Sequence, residues 1–239
     1  MADLLRTERL TKLFRGLVAN KEISWSIDAG EIRCIIGPNG AGKTTFISMI
    51  SGHERPTAGR IVYDGTDITG WPVFRIARMG ILRKFQTPTV FQHLSVFENV
   101  ELAVLSTPLP PRERIPRIMR TLDQVRLREL ADELVVTLSH GQRQWLEIGM
   151  LLASDARLLL LDEPTAGMTA EETHSTAELL RRLVRELGLS AVIIEHDISF
   201  IRDLEAPVMV LHLGQILAQG SFSEIERNPD VRAVYLGDV

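Results

Sequence analysis

Cysteine is almost absent from this sequence: Cys34 is the single one among 239 residues. One cysteine excludes a disulfide framework and any cysteine-rich zinc site. Long apolar runs are missing as well, since no stretch approaches the roughly 18 residues that cross a bilayer. The first residues carry scattered charges and lack the apolar core of a signal peptide. We therefore expect a soluble, intracellular protein that would reach a membrane through a partner.

An excess of positive charge is also lacking, because 27 Lys+Arg face 31 Asp+Glu, giving a net charge of −4 and a pI near 5.9. This balance argues against a dedicated nucleic-acid binder, which usually carries a strongly basic face. Hydrophobic residues at 45% and charged residues at 24% lie near globular averages, which excludes extensive disorder. The four lysines stand at positions 12, 21, 43 and 84.

The apolar pattern divides the chain into three parts. The N-terminal third contains short strand-like runs, and the middle, from about 72 to 154, has helical spacing. The last third alternates strands with a helix. This alternation predicts a parallel sheet with helices on its faces and the helical middle as an insertion. The predicted elements are strands at 4–10, 22–27, 31–36, 156–164 and 190–197, a strand–turn–strand unit at 60–68, a helix at 171–187 and a hairpin at 208–220.

Residues 37–44 fit the pattern G-x-x-x-x-G-K-[ST]. Small residues in such a loop let successive backbone N–H groups turn toward phosphate oxygens, and the helix that follows adds its N-terminal dipole. Lys43 would reach the β- and γ-phosphates, and the Thr44 hydroxyl would ligate Mg²⁺. The predicted nucleotide-binding residues here are Gly37, Pro38, Asn39, Gly40, Ala41, Gly42, Lys43, Thr44 and Thr45.

Asp162 and Glu163 follow an apolar strand, at the end where ligands gather on parallel sheets. Asp162 would help to hold Mg²⁺ through water, and Glu163 would polarise the attacking water as a general base. A solvated turn is the alternative for an isolated acid pair. The phosphate loop in the same chain favours the catalytic interpretation.

Three further signals occur in a fixed order with these motifs. Gln86 follows the phosphate loop, the string LSHGQ stands at 138–142, and His196 follows the next strand after Glu163. This combination resembles the ATPase subunit of ABC transporters over essentially the whole chain. The resemblance implies an α/β fold: a P-loop NTPase (RecA-like) core with an N-terminal antiparallel β subdomain and an inserted α-helical subdomain. It divides a single ATPase domain, 1–239, into the core with the β subdomain at 1–85 and 155–239, and the helical signature subdomain at 86–154.

The resemblance also implies roles for single residues. Phe14 is similar to the aromatic that stacks on adenine, although an ordinary core position is its alternative. Gln86 resembles the glutamine that touches Mg²⁺ or the lytic water and senses the membrane partner. His196 resembles the histidine that contacts the γ-phosphate and orients the water, and 166–169 resemble the D-loop at the dimer interface. The signature that caps the γ-phosphate of the opposite subunit would be Ser139, His140, Gly141 and Gln142, and Ala19 would lie near the adenine.

Two strings depart from the common family pattern. His140 replaces the first glycine of LSGGQ, and the D-loop reads AGMT where SALD is usual. Together with 83–91 (RKFQTPTVF) and 233–237 (AVYLG), they resemble the urea-type ATPase subunit within the branched-chain amino acid importer group. One hypothesis is that a protonated His140 binds the γ-phosphate in trans and makes hydrolysis pH-dependent. The alternative is that the backbone N–H alone matters there.

The function implied by this resemblance is hydrolysis of two MgATP in a dimer that drives uptake of a small polar solute, urea or a short amide. The expected partners are a second ATPase subunit (related or identical), integral permease subunits docking near 87–100 and, indirectly, an external solute-binding protein, but no nucleic acid. The expected location is the cytoplasmic face of the cell membrane. The alternatives are a branched-chain amino acid importer, a lipid or lipopolysaccharide exporter, an ABC ATPase of translation or DNA repair, and a nucleotide kinase.

Overall fold

The computed structural model describes residues 3–85 and 90–236. Its strands form a four-stranded antiparallel sheet, ordered β2-β1-β4-β5, and a six-stranded sheet, ordered β10-β9-β3-β8-β7-β6. The larger sheet is parallel except for β10, which pairs antiparallel with β9. The strands are β1 (Leu5–Phe14), β2 (Leu17–Ile27), β3 (Ile32–Ile36), β4 (Ala58–Tyr63), β5 (Thr66–Asp67), β6 (Ile81–Lys84), β7 (Leu158–Asp162), β8 (Ser190–Ile194), β9 (Val208–His212) and β10 (Gln215–Gly220).

The helices cover both faces of the larger sheet. The helix that starts directly after the phosphate loop is short, and the longest one, α6, ends at Gly188 in the left-handed conformation with φ 64°. The described helices are α1 (Lys43–Ile50), α2 (Val73–Ala77), α3 (Val96–Leu105), α4 (Pro111–Gln124), α5 (His140–Ala153), α6 (Ala170–Leu187), α7 (Ile198–Leu204), α8 (Phe222–Arg227) and α9 (Pro229–Val231), followed by a π-helical turn at Arg232–Leu236.

Two hydrophobic cores lie on opposite faces of the larger sheet. The side chains of β7 alternate between them, as the period of a strand requires. Leu158 and Leu160 pack with α1 and the antiparallel sheet, on what we call the phosphate face. Leu159 and Leu161 pack with α3 to α6, on what we call the helical face. The sheet therefore separates the phosphate loop's helix from the inserted helices.

The predicted fold class is confirmed. Strand β6 pairs with β7 from Ile81↔Leu158 to Lys84↔Leu161, and α3, α4 and α5 lie between these neighbouring strands in sequence. This arrangement agrees with an insertion, while the exact subdomain boundaries stay a prediction. The expectation of helical spacing from 72 onward was wrong for β6. That strand has four residues, two of them cationic, and is too short to show a strand period.

Within residues 3–85 and 90–236, we find no helix that is long and apolar enough to cross a membrane.

Candidate nucleotide site

The phosphate loop joins the end of β3 to the start of α1, and two of its glycines are required by close backbone contacts. Gly37 has φ 142°, and a Cβ there would lie 2.0 Å from the Leu211 carbonyl oxygen. Gly42 has φ 97°, and a Cβ there would lie 2.3 Å from the Ala19 carbonyl oxygen. Any side chain at either position would force the loop away from its neighbours. The glycines of the motif therefore serve the packing of the loop as well as access to phosphate.

Lys43 folds back onto the loop that carries it. Its Nζ donates hydrogen bonds to the carbonyl oxygens of Gly37 at 2.6 Å and Pro38 at 3.0 Å. Burial lowers the pKa of this ammonium, and the carboxylates of Glu163 and Asp162 partly oppose that shift. A poorly solvated cation held by neutral carbonyls is well placed to exchange them for phosphate oxygens.

A cavity of about 560 Å³ opens above the loop. It brings together most of the predicted adenine, phosphate and catalytic residues, at one end of the larger sheet, while Gly37, Pro38 and Asp162 are not part of its lining. Its lining consists of Phe14, Leu17, Val18, Ala19, Asn39, Gly40, Ala41, Gly42, Lys43, Thr44, Thr45, Glu163, His196 and Leu213. Leu17, Val18 and Leu213 were not predicted. The sequence carries no signal for them, because their exposure and their position beside the loop depend on the fold.

Phe14 ends β1 and is 39% exposed, so the alternative of an ordinary core residue was wrong. The Nζ of Lys12 lies 4.5 Å from the centroid of its ring. An exposed aromatic at the cavity mouth offers a flat face to a planar base.

Asp162 is almost fully buried at the end of β7. Its Oδ2 accepts a hydrogen bond from Nη2 of Arg83 at 3.2 Å, and Nη1 of Arg83 donates to Oγ of Ser48 at 2.7 Å. Within the described part of the chain, Oδ1 of Asp162 has no hydrogen-bond partner. A buried carboxylate oxygen left free beside a phosphate loop fits a water ligand of Mg²⁺. Arg83 was not predicted, because its strand, β6, is too short to be recognised from the sequence.

Residues 3–85 and 90–236 contain no group of three or more His, Cys, Asp or Glu side chains arranged to hold a metal ion. The residues predicted to hold a metal here are Thr44 and Asp162, which would act together with phosphate oxygens. Gln86, the remaining predicted metal and nucleotide ligand, lies outside the described residues.

Glu163 and His196 meet at the cavity wall. Oε1 of Glu163 lies 3.4 Å from Nε2 of His196, and both side chains are about one-third exposed. Glu163 has φ 49°, a conformation uncommon for a residue with a side chain, and its N–H donates to the Ile194 carbonyl at 2.9 Å. The hydroxyl of Tyr235 lies 3.3 Å from Nδ1 of His196 and orients the ring from behind. Tyr235 was not predicted, because it approaches His196 from the far end of the chain.

Glu195 is a buried carboxylate that connects two loops of the site. Its Oε1 accepts from the N–H of Thr165 at 3.0 Å, and its Oε2 accepts from the N–H of His196 at 2.8 Å. Burial, with a contribution from Glu195, raises the pKa of the Cys34 thiol to about 12. Glu195 was missed, although an acidic residue closing an apolar strand directly before His196 is a usable signal.

The signature forms the N-terminus of α5, outside the cavity. Ser139 caps this helix: its Oγ accepts from the N–H of Gln142 at 3.2 Å, while Oε1 of Gln142 accepts from the N–H of Ser139 at 2.9 Å. Nε2 of His140 donates to the carbonyl oxygen of Ala166 at 2.8 Å. The His140 side chain therefore contacts the D-loop of its own chain.

Glu172, on the first turn of α6, contacts both the signature and the D-loop. Its Oε1 accepts from Oγ of Ser139 at 2.9 Å and from the N–H of Gly141 at 3.1 Å. Its Oε2 accepts from the N–H of Thr169 at 3.1 Å. These hydrogen bonds, that of Thr169 first, lower the pKa of the carboxyl group. Sequence reasoning missed Glu172, because the contact joins positions more than 30 apart.

Comparisons with known proteins agree with this geometry. A family model described as "ABC transporter" matches residues 20–166, which is more than half of the chain. The chain belongs to the ABC transporter ATP-binding family. A second model, described as "Branched-chain amino acid ATP-binding cassette transporter", matches residues 215–239.

Several curated relatives match over nearly their full length. The chain is 35% identical over 246 residues to a probable branched-chain amino acid transport ATP-binding protein LivG of Archaeoglobus fulgidus, covering 98% of this chain and 95% of the relative. It is 34% identical over 250 residues to the high-affinity branched-chain amino acid transport ATP-binding protein BraF of Pseudomonas aeruginosa, covering 98% of each. It is 39% identical over 239 residues to the lipopolysaccharide export system ATP-binding protein LptB of Acidithiobacillus ferridurans, covering 100% of this chain and 98% of the relative.

Solved structures match as well. The ADP conformation of an ATP-binding cassette of an ABC transporter superposes with a TM-score of 0.89 at 28% identity, covering 100% of both chains. A dimeric post-hydrolysis cassette bound to ADP and Pi gives a TM-score of 0.77 at 26% identity, covering 91% of this chain and 98% of the other. These matches confirm the predicted fold and the prediction that the chain is an ATP-binding ATPase of an ABC transporter. The urea-type subgroup stays a prediction.

Proposed function

We propose that this chain is the ATP-hydrolysing subunit of an importer, and that two such subunits close head to tail around two MgATP. The observation that carries this proposal is the position of the signature: Ser139 lies outside the cavity that Lys43, Glu163 and His196 line. A site that needs both parts therefore needs two chains. The likeness to a dimeric cassette holding ADP and Pi supports this arrangement.

The roles inside each site follow from the contacts. Lys43 would leave the carbonyls of the loop for the β- and γ-phosphates, and the N-terminus of α1 would add its N–H groups. Glu163 would take a proton from the attacking water, and His196 would orient that water and the γ-phosphate. The Tyr235 hydroxyl lies at Nδ1 of His196. The other ring nitrogen, Nε2, is therefore left to donate a hydrogen bond toward Glu163 or phosphate.

Mg²⁺ would be held by the Thr44 hydroxyl and, through water, by the unpartnered Oδ1 of Asp162. The ion would supply neutralisation of phosphate charge. Arg83 holds the other oxygen of Asp162, Oδ2, by a hydrogen bond and ion pair of 3.2 Å.

We propose that the transported solutes are branched-chain amino acids. The C-terminal family model and the names of several relatives support this class over urea. The LSHGQ and AGMT strings still favour the urea-type subgroup as a second candidate. The lipopolysaccharide export relative, at 39% identity, keeps an exporter as a third outcome of any transport assay.

The permease would dock on the inserted helices, at the cytoplasmic face of the membrane. In the predicted docking segment, Val96 is buried, and Val90 and Phe97 pack against the core of the helical face. Leu94 is half-buried, and Phe91 is 53% exposed. Phe91 is therefore the residue of this segment that we propose to contact a permease helix, while the others mainly hold the subdomain together. Residues 87–89 of the segment lie outside the described residues.

Removing the proposed base tests the mechanism. Glu163→Gln should bind ATP, accumulate as a closed dimer and hydrolyse ATP at least about 100-fold more slowly. Phosphate release and sedimentation, with and without MgATP, measure both properties, for the chain alone and with a co-produced ATPase partner. Glu171→Gln, which changes an exposed acid on α6, is the control and should behave like the wild type. Normal turnover by Glu163→Gln, or no ATP-dependent assembly in either preparation, would contradict the proposal.

Uptake assays test the cargo. Cells lacking the gene would receive the wild type or Glu163→Gln, and labelled leucine and labelled urea would be followed. Loss of leucine uptake, restored by the wild type alone, is the expected result. Loss of urea uptake alone would move the chain to the urea-type subgroup, and a change in neither would contradict both import proposals.

A further inference from the structure

The signature's anion-binding groups are already occupied within the chain itself. The hydroxyl of Ser139 and the N–H of Gly141 both point to one carboxylate oxygen, Oε1 of Glu172. The contact is tight, since a Cβ on Gly141 would lie 2.9 Å from that same oxygen. A carboxylate oxygen that accepts two such donors resembles, in charge and hydrogen bonding, one oxygen of a phosphate group.

We propose that Glu172 is a positioning residue that holds the signature in the open subunit and that the γ-phosphate of the opposite subunit must displace it. This inference rests on the proposed function, in which Ser139 and Gly141 face ATP bound to the other chain. Two anions do not share the same pair of donors, because their mutual repulsion adds to the loss of hydrogen bonds. Closure is therefore an exchange of one anion for another.

The second oxygen of Glu172 can keep its hydrogen bond after the carboxylate has left the signature. Oε2 accepts from the N–H of Thr169, which begins α6 as its capping residue. Rotation of the carboxylate can release Ser139 and Gly141 while this bond to the D-loop side remains. His140 adds a second connection between the same two segments through the Ala166 carbonyl. Release of the signature would therefore change the contacts of the D-loop in the same chain.

The exchange makes a quantitative prediction for ATP-driven assembly. Glu172→Gln keeps the shape and an oxygen acceptor, but hydrogen bonds to a neutral amide are weaker than those to a carboxylate. In the Glu163→Gln background, this change should lower the ATP concentration for half-maximal dimer formation by roughly threefold to tenfold. Glu172→Ala, which removes the acceptor, should shift it further in the same direction. Sedimentation over an ATP titration measures both.

A matched control exists at another helix. Glu224 caps α8 with Ser221 in the same capping-box arrangement, and among the described residues the side-chain hydrogen bonds of its carboxylate go to Ser221. Glu224→Gln therefore removes the same charge from the same kind of cap without touching the signature. It should leave the half-maximal ATP concentration within about twofold of the parent. Thermal unfolding without nucleotide should show that the Glu172 and Glu224 variants are folded.

Three results would count against the inference. An unchanged or raised ATP requirement in both Glu172 variants would show that the carboxylate supports the signature without competing for it. An equal shift in Glu224→Gln would assign the effect to net charge or helix capping. Absence of ATP-driven assembly in every background would overturn the proposed dimer itself, which is a different failure from assembly that ignores Glu172.

Discussion

Arg83 and Lys84 are consecutive residues of β6, and each forms a buried ion pair, but the pairs lie on opposite faces of the larger sheet. Arg83 reaches Asp162 on the phosphate face, at the foot of the nucleotide cavity. Nζ of Lys84 lies 3.1 Å from Oε2 of Glu147, on the signature helix α5 of the helical face. One short strand therefore connects the hydrolysis site to the helix that would act on the other subunit.

The difference between the pairs lies in what surrounds their carboxylates. Asp162 has one oxygen on Arg83 and one without a hydrogen-bond partner in the described residues, which leaves it available for chemistry. Glu147 is 3% exposed and does not line the nucleotide cavity described above. Similar charge pairs thus leave a carboxylate oxygen free beside the phosphate loop on one face, and attach the inserted helices to the sheet on the other.

The largest expected effects come from replacing the carboxylates of the two ion pairs, Asp162 and Glu147, with neutral amides. Asp162→Asn should reduce ATP hydrolysis at least about 100-fold, because the metal loses an anionic partner worth several kcal/mol in the transition state. Glu147→Gln should instead lower the free energy of unfolding by about 3–5 kcal/mol, since it leaves Lys84 buried beside a neutral group. Guanidinium unfolding and phosphate release, measured on both variants, separate the two outcomes.

Each variant is the control for the other. The comparison fails if Glu147→Gln keeps wild-type stability. It also fails if Glu147→Gln is folded but loses nucleotide binding to the same extent as Asp162→Asn loses hydrolysis. Lys84→Met with Glu147→Leu, which replaces the whole pair with apolar groups, should recover much of the lost stability.

The two tyrosines of the chain sharpen the comparison at the level of single hydroxyls. Tyr235→Phe removes the hydroxyl from Nδ1 of His196 and should lower kcat roughly 2- to 10-fold with little change in KM. Tyr63→Phe removes a buried hydroxyl that has no hydrogen-bond partner in the described residues and should leave hydrolysis unchanged. Equal behaviour of the two variants would remove Tyr235 from the site.

The smallest effect concerns the surface of the helical face. Nδ1 of His174 lies 2.8 Å from Oδ2 of Asp203, and this contact raises the pKa of the histidine from 6.5. A histidine whose pKa is higher in the folded than in the unfolded protein stabilises the fold at pH values below its unfolded-state pKa. This stabilisation is lost as the pH rises through the folded-state pKa. His174→Gln should therefore cost slight stability at pH 5.5 and none at pH 8.5. Guanidinium midpoints at both pH values test this, and Asp203→Asn should reproduce the pattern.

Much of the site could be predicted because its motifs encode local backbone shape. A loop such as 37–44 and an acid pair after an apolar strand need few distant contacts to be recognised. Strand β6 was missed because it is short and cationic, and its place at the sheet edge is decided by pairing with β7. Glu172, Glu195 and Tyr235 were missed because each acts through a residue distant in sequence or across the fold. For His140, the structure adds a contact to Ala166 that neither earlier hypothesis contained.

The single cysteine has a practical consequence for watching the subunits close. Cys34 lies fully buried in β3, and a thiol whose pKa is about 12 is protonated at neutral pH. Such a sulfur should be inert toward maleimide dyes while the chain is folded. Cysteines introduced at the surface, one near the signature and one near the cavity mouth, could then be labelled without first removing the native residue. Energy transfer between dyes on two chains would report each closing and opening as it happens.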